Sequence, residues 1–157
     1  MHLRNMKRGE ETEQMEVIIW AEKNMHNYPQ LRWLHHIPNG GSRDSAEAIK
    51  LKQMGVKRGI SDLHLPFPHG KYHGLYIEMK YGRNTLTKEQ TQFLCDMCDA
   101  GYCVAVCYDA PAAEALIEQY INLPAKSLVY PEDLKNTSIR RDEYGIGHIS
   151  TIQQPFA

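Results

Sequence analysis

The stretch from Ile60 to Ile121 alternates strand patterns with helix patterns, and this alternation limits what the chain can fold into. Its strand patterns are Ile60–Leu65, Leu75–Lys80 and Tyr102–Tyr108, and its helix patterns run from Thr87 to about Ala100 and from Pro111 to about Ile121. Residues 66–71, which join the first two strands, are rich in proline and glycine, as in a hairpin with a long loop. We therefore predict an α/β fold with a mixed β-sheet core flanked by helices.

The remaining patterns are weaker. Two upstream helices are predicted, over Glu10 to about Asn27 and over Ser45–Met54, and Leu31–Ile37 is a candidate strand. The patterns fade after Asn122, where prolines punctuate the chain. We therefore assign residues 1–121 to one domain. Residues 122–157 are expected to be a C-terminal tail, which is either a dimerisation arm that packs on a partner or partly disordered.

Charge and hydropathy exclude several classes of protein. The chain has 18 Lys and Arg against 19 Asp and Glu, a net charge of −1, so any binding of nucleic acid must rely on a local basic patch. No apolar run approaches the ~20 residues of a membrane span, which excludes an integral membrane protein. The charged N-terminus predicts no secretory signal, and hence a cytoplasmic protein.

Four cysteines lie close together in the sequence, at Cys95, Cys98, Cys103 and Cys107. Their spacing superficially resembles a zinc or iron–sulfur site. The first pair falls inside a predicted helix and the second inside a predicted strand, which does not suit a shared metal. We therefore predict buried free thiols in a reducing compartment.

The end of the second predicted strand carries the clearest chemical signal. Glu78 and Lys80 are two residues apart, so they would project from the same face of a strand. Pairing of the hairpin could bring Asp62 beside Glu78. Two neighbouring carboxylates repel each other unless a divalent cation lies between them, and Lys80 would then be near a metal-bound water. The alternative is an exposed Glu–Lys pair on an edge strand, with Asp62 in a turn.

The order of the motifs resembles that of the VRR-NUC nucleases, a branch of the PD-(D/E)xK endonuclease superfamily, and above all its short stand-alone phage and bacterial members. The segments that carry the resemblance are Pro38-Asn39-Gly40-Gly41, the run from Gly55 to Leu63, Glu78-Met79-Lys80, Gly82, the run from Leu86 to Gln90, and Gly101-Tyr102-Cys103-Val104. The resemblance extends from about Glu10 to Ile121 and implies a restriction-endonuclease-like mixed β-sheet core flanked by helices. It departs from the family at one place, since the family's Pro-Asp dipeptide is Ser61-Asp62 here.

The resemblance implies a set of site residues. The implied catalytic residues are Asp62, Glu78, Lys80, Glu10 and Gln90, and the implied ligands of Mg²⁺ or Mn²⁺ are Asp62, Glu78, the main-chain carbonyl of Met79, and Glu10. In the family an N-terminal helix supplies a Glu four residues before a Gln, which matches Glu10 and Gln14; Glu13 is the alternative. Gln90 is also explained by a capping box with Thr87 alone.

DNA contacts require positive charge near this site. The basic candidates are Arg43, Lys50, Lys52, Lys57, Arg58, Lys80, Arg83 and Lys88. The main chain of the loop that begins at Asn39 could also lie against a phosphate. The alternative is that these charges are merely scattered over the surface.

Together these observations predict a Mg²⁺- or Mn²⁺-dependent, structure-selective DNA endonuclease with no organic cofactor. The resemblance implies a homodimer like the Holliday-junction resolvases, because a two-fold dimer presents two sites to a two-fold junction. It would act in the cytoplasm, in the bacterial host cell if a phage encodes it. The alternatives are a flap or nicking nuclease of phage DNA processing, and a DNA-binding accessory module that does not cut.

Overall fold

A computed structural model describes residues 3–39 and 44–152 and contains one six-stranded mixed β-sheet. The strands are β1 (His35–His36), β2 (Leu63–Leu65), β3 (Leu75–Met79), β4 (Cys103–Cys107), β5 (Thr137–Arg141) and β6 (Gly147–Thr151). The α-helices of the described residues are α1 (Glu10–Asn24), α2 (Ser45–Gln53), α3 (Lys88–Asp99) and α4 (Ala110–Ile121). The α/β fold with a mixed sheet flanked by helices is therefore confirmed, and it is consistent with a restriction-endonuclease-like core.

The strand order is β1-β2-β3-β4-β6-β5, so β3 and β4 lie in the centre of the sheet. The predicted hairpin is present, because β2 pairs antiparallel with β3 and Leu63 lies opposite Ile77. The pairs β3–β4 and β4–β6 are parallel, whereas β5 and β6 are antiparallel.

The two faces of the sheet are covered differently. Helices α1 and α4 pack on one face, where Val17 and Leu116 join the main core with Ile77 and Cys107. Helix α3 packs on the other face, where Leu94 contacts a smaller apolar cluster that includes Val106. Because side chains alternate along a strand, Glu78 projects to the α3 face while its neighbours Ile77 and Met79 enter the main core.

The C-terminal region differs from the prediction. Residues 137–151 are not a disordered tail, since they form β5 and β6 and extend the same sheet. Ile149 is fully buried, and the Asp109 carboxylate accepts hydrogen bonds from the main-chain N–H and the hydroxyl of Thr151. The sheet therefore continues beyond the boundary predicted at residue 121. The sequence signal was weak because only one apolar residue of each strand enters the core, Ile139 or Ile149.

Several local predictions also need correction. Leu31–Ile37 is mostly a 3-10 turn (Pro29–Trp33) followed by the two-residue strand β1. Helix α2 forms as predicted, but none of its residues is buried, and Ile49 is 59% exposed. Among the cysteines, which were all predicted to be buried, Cys103 and Cys107 are buried, whereas Cys95 is half-buried and Cys98 is exposed. None of the described helices has the length and apolar character that a membrane span requires.

Candidate active site

Glu78 of β3 and Lys80, which directly follows β3, lie in the interior of the sheet. Glu78 is 3% exposed and Lys80 is 6% exposed, and the Lys80 Nζ lies 3.9 Å from the Glu78 Oε1. The Lys80 N–H donates to the Cys107 carbonyl at 2.9 Å, so pairing with β4 continues beyond Glu78. The alternative of an exposed Glu–Lys pair on an edge strand is therefore wrong.

The side chain of Asp62 is held against β3 at the point where β2 begins. Its Oδ2 accepts a hydrogen bond from the Met79 N–H at 2.8 Å. In an antiparallel pair the N–H and C=O of one residue face the same neighbour, so the Met79 carbonyl is directed to the Asp62 side of β3. The main-chain carbonyl of Asp62 accepts from the Ile37 N–H at 2.9 Å, which anchors the segment from the other side.

Burial and mutual repulsion make the two carboxylates unfavourable as a pair of charges. Burial, together with the nearby Asp62 carboxylate, raises the pKa of Glu78 to about 9. Burial also raises the pKa of Asp62, although the hydrogen bond from Met79 opposes this shift. Within the described residues the buried Oε2 of Glu78 has no hydrogen-bond partner. A divalent cation would neutralise both carboxylates and occupy this oxygen, so the donor set fits Mg²⁺ or Mn²⁺.

Gln90 links helix α3 to the carboxylates. Its Nε2 donates to the Glu78 Oε1 at 2.8 Å, while its Oε1 accepts from the Thr87 N–H at 2.9 Å. Thr87 accepts from the Gln90 N–H in return, so the predicted capping box is present. The same side chain therefore both closes the first turn of α3 and orients Glu78.

A glycine allows α3 to approach the site so closely. Gly59 has φ +87°, and a Cβ at this position would lie 2.5 Å from the main-chain carbon and oxygen of Glu89. The loop that leads into β2 thus rests directly on the first turn of α3. This contact places Gln90 beside Glu78.

The structure separates the two N-terminal glutamates. Glu10 accepts a hydrogen bond from the Asn84 Nδ2 at 2.8 Å, and its charge contributes to the raised pKa of both Asp62 and Glu78. Glu13 instead accepts from the Ala110 N–H at 2.7 Å, at the start of α4. Glu10 is therefore close enough to act electrostatically on the two carboxylates, whereas Glu13 joins α1 to α4. Among the described residues, no three Asp, Glu, His or Cys side chains lie close enough together to hold a metal ion by themselves. Asn84 was missed, although it is a polar residue of the loop that follows Lys80.

Six of the basic residues that were predicted to contact DNA lie on the surface of the protein. Lys57, Arg58, Arg83 and Lys88 are exposed, as are Lys50 and Lys52 on α2. The Asn39 side-chain amide donates to the Ile60 carbonyl, so it holds the loop against the start of β2. Arg43 lies outside the described residues.

The structure also has an open cavity of about 880 Å³, which the sequence did not indicate. It begins at the loop that follows Lys80, and its lining does not include Asp62, Glu78, Lys80 or Gln90. The lining residues include Arg8 before α1, Glu13 and Glu16 of α1, Tyr81 and Arg83 after β3, Tyr108 and Asp109 after β4, and Ser138, Arg140, His148 and Ser150 of β5 and β6. Its β5 and β6 residues belong to the region that had been predicted to be a tail.

Comparison with known proteins identifies the family of the chain. The family model of the VRR-NUC domain matches residues 8–111. A solved structure of a VRR-NUC domain protein is 31% identical in sequence and superposes with a TM-score of 0.65, covering 76% of this chain and 93% of that one. No curated protein matches the chain. The chain therefore belongs to the VRR-NUC domain family, which is a family of nucleases.

Proposed function

We propose that the protein is a divalent-metal-dependent endonuclease that hydrolyses phosphodiester bonds of DNA at Asp62, Glu78 and Lys80. The observation that carries the proposal is the buried Glu78 carboxylate, which lies near Asp62 and has an oxygen without a partner among the described residues. Such a pair is unfavourable in a metal-free protein and favourable when it binds a cation. A family of nucleases supplies the matching chemistry.

The proposed ligands are Asp62, Glu78, the Met79 carbonyl and Glu10, all oxygen donors of the kind that Mg²⁺ and Mn²⁺ prefer. A bound cation would supply a Lewis acid for the phosphate and lower the pKa of a water molecule. Gln90 holds the Glu78 carboxylate in place through its hydrogen bond.

Lys80 is the residue proposed to act on the phosphate. The residue is 6% exposed, and its Nζ lies 3.9 Å from the Glu78 Oε1. A buried cation next to the reacting phosphate stabilises the negative charge that develops there. Lys80 would also orient the attacking water. Replacement by alanine removes both contributions without removing a metal ligand.

We propose further that the preferred substrate is branched DNA and that the enzyme acts as a homodimer, in the manner of a Holliday-junction resolvase. The support is the family relationship and the two-fold symmetry of a junction, which suits two matched sites. A flap or nicking activity and a non-cutting accessory role are the outcomes to be distinguished.

The test compares labelled four-way junction, flap, nicked and linear DNA with the wild type and the Lys80→Ala variant, in Mg²⁺, in Mn²⁺ and in EDTA. The matched control is Lys71→Ala, which removes an exposed lysine from the hairpin loop before β3. We expect cutting by the wild type and the control in either metal, and a loss of at least ~100-fold in Lys80→Ala.

Equal cutting by Lys80→Ala would contradict the assignment of the site, and binding without cutting in either metal would support the accessory role. Paired, symmetric cuts in the junction and a dimer in sedimentation equilibrium would support the resolvase proposal. Cuts confined to flaps or nicks by a monomer would contradict it.

A further inference from the structure

The site does not end at Lys80, because two rows of residues continue from it across the α3 face of the sheet. The strand registers place Val106 beside Glu78, His148 beside Val106 and Arg140 beside His148. At ~4.8 Å between neighbouring strands, Arg140 stands roughly 14 Å from Glu78 along the first row.

The second row begins at Lys80 and is polar throughout. Tyr108 follows β4, its N–H donates to the Ile149 carbonyl at 2.9 Å, and Ser150 of β6 lies opposite Ser138 of β5. The side chains of Tyr108, Ser150 and Ser138 line the 880 Å³ cavity together with Arg140 and His148. Cationic and hydroxyl side chains in one open groove are the groups that proteins use to contact phosphate and sugar.

The acidic residues around the cavity already have partners. Glu13 and Glu16 both form ion pairs with Arg8, and the distance for Glu16 is 2.5 Å. Asp109 caps α4 through the Ala112 N–H at 2.9 Å and also binds the end of β6. These acidic groups are therefore neutralised or engaged by the fold.

Two arginines that line the cavity are available to bind an anionic ligand. Arg83 and Arg140 are exposed, and no carboxylate of the described residues forms a salt bridge with either of them. Arg83 belongs to the loop that follows Lys80, and Arg140 stands on the far wall. The groove thus has a cation at both ends.

Arg140 is held in position by a buried histidine. His148 is 7% exposed, its Nε2 lies 2.9 Å from the Asp142 Oδ2, and its Nδ1 lies 3.3 Å from the Arg140 Nη2. The Tyr108 hydroxyl lies 3.4 Å from the same Nδ1 and donates to the Asn84 carbonyl at 3.1 Å. Asn84 in turn donates to Glu10, so one polar network joins this groove to Glu10, whose charge acts on both carboxylates of the site.

We propose that this groove binds the sugar–phosphate backbone of the DNA strand next to the bond that is cut, with Arg140 as its distal phosphate contact. The inference rests on the proposed nuclease function and assigns a substrate-binding role to strands β5 and β6, which lie outside the 8–111 family match.

The experiment compares Arg140→Ala with Arg141→Ala. Arg141 is the next residue of β5, points to the opposite face of the sheet, and pairs with Glu132 at 2.7 Å, so its loss is a matched change of charge away from the groove. Binding of a fluorescent single-stranded and a flapped DNA is measured in EDTA over a range of salt concentrations, and cutting is measured separately in Mg²⁺. Thermal melting confirms that both variants are folded.

We expect Arg140→Ala to weaken binding about 5- to 50-fold at low salt. The slope of log affinity against log salt concentration should become shallower by ~0.7–0.9, which is the change expected for the loss of one phosphate contact. The KM for cutting should rise with little change in kcat, Arg140→Lys should restore part of the affinity, and Arg141→Ala should resemble the wild type.

Equal affinity of the two alanine variants would overturn the inference, and so would a change of Arg140→Ala from dimer to monomer, because β5 would then be an interface between copies. A wild type that binds DNA but does not cut it would contradict the proposed function alone, because the binding assay tests the groove independently of cutting. A wild type that does not bind DNA overturns both.

Discussion

Replacing Glu78 by glutamine should stabilise the metal-free protein while abolishing its response to metal. Glu78 is buried, with Asp62 beside it, and its pKa is raised from the ordinary value of 4.5 to about 9. Between these two pH values the folded chain retains a proton on Glu78 that the unfolded chain releases. The free energy of unfolding therefore falls as pH rises from 4.5 to about 9. Glutamine is neutral, keeps the acceptor for Gln90 and avoids this loss.

The size of the effect follows from the pKa values. A solution at pH 7 is 2.5 pH units above the ordinary pKa of 4.5. Each pH unit corresponds to about 1.36 kcal/mol, so the free energy of unfolding of the variant should exceed that of the wild type by roughly 3 kcal/mol. For a chain of this length that difference corresponds to a rise in Tm of roughly 6–12 °C. Near pH 4.5 the two proteins should melt at similar temperatures.

Thermal or urea unfolding in EDTA at several pH values, repeated with Mg²⁺ or Mn²⁺, measures both parts of this prediction. The wild type should be stabilised by metal, by about 2.7 kcal/mol at a hundred times its Kd, whereas the Glu78→Gln variant should not respond. Glu22→Gln, an exposed glutamate of α1, is the control. A difference between wild type and Glu78→Gln that does not grow with pH, or an equal response of both to metal, would refute the reasoning.

Other predictions address single contacts. Ser61→Ala should raise the free energy of unfolding by ~1 kcal/mol in urea denaturation, because the fully buried hydroxyl has no partner among the described residues; a loss of stability would reveal a hidden partner. Gly59→Ala should lower stability by at least ~1 kcal/mol and reduce cutting, because of its positive φ and its contact with the first turn of α3. In a thiol-reagent titration Cys98 should react in the folded protein, whereas Cys107, which is fully buried and whose pKa burial raises, should react only after unfolding.

Much of the site could be predicted because its signals are local. Alternation along β3 placed Glu78 and Lys80 on one face, and the hairpin brought Asp62 beside them. The capping box of Thr87 and Gln90 is a pattern of four residues and is present as expected. Whether these residues bind metal and cut DNA stays a prediction for the experiments above.

Other parts of the site depend on contacts between distant elements. Glu10 and Glu13 are equally acidic and three residues apart, so their spacing could not say which one faces the carboxylates. The position of α1 against α4 decides it, since Glu13 binds the Ala110 N–H. The hydrogen bond from Gln90 to Glu78 likewise requires the close approach of the Gly59 loop to α3.

By itself the sequence determined the α/β class, the hairpin and the strand pattern that carries Glu78 and Lys80, because side-chain periodicity and turn residues act over a few neighbours. The burial of Glu78 and Lys80 was decided by the tertiary structure. Only the tertiary structure decided that 137–151 complete the sheet and place Arg140 on the same face as Glu78. Strands β5 and β6 have one polar face along an open groove, so the alternation of apolar residues along them is too weak to predict two strands. Their pairing is stabilised by β4 and Asp109, which lie far away in the sequence.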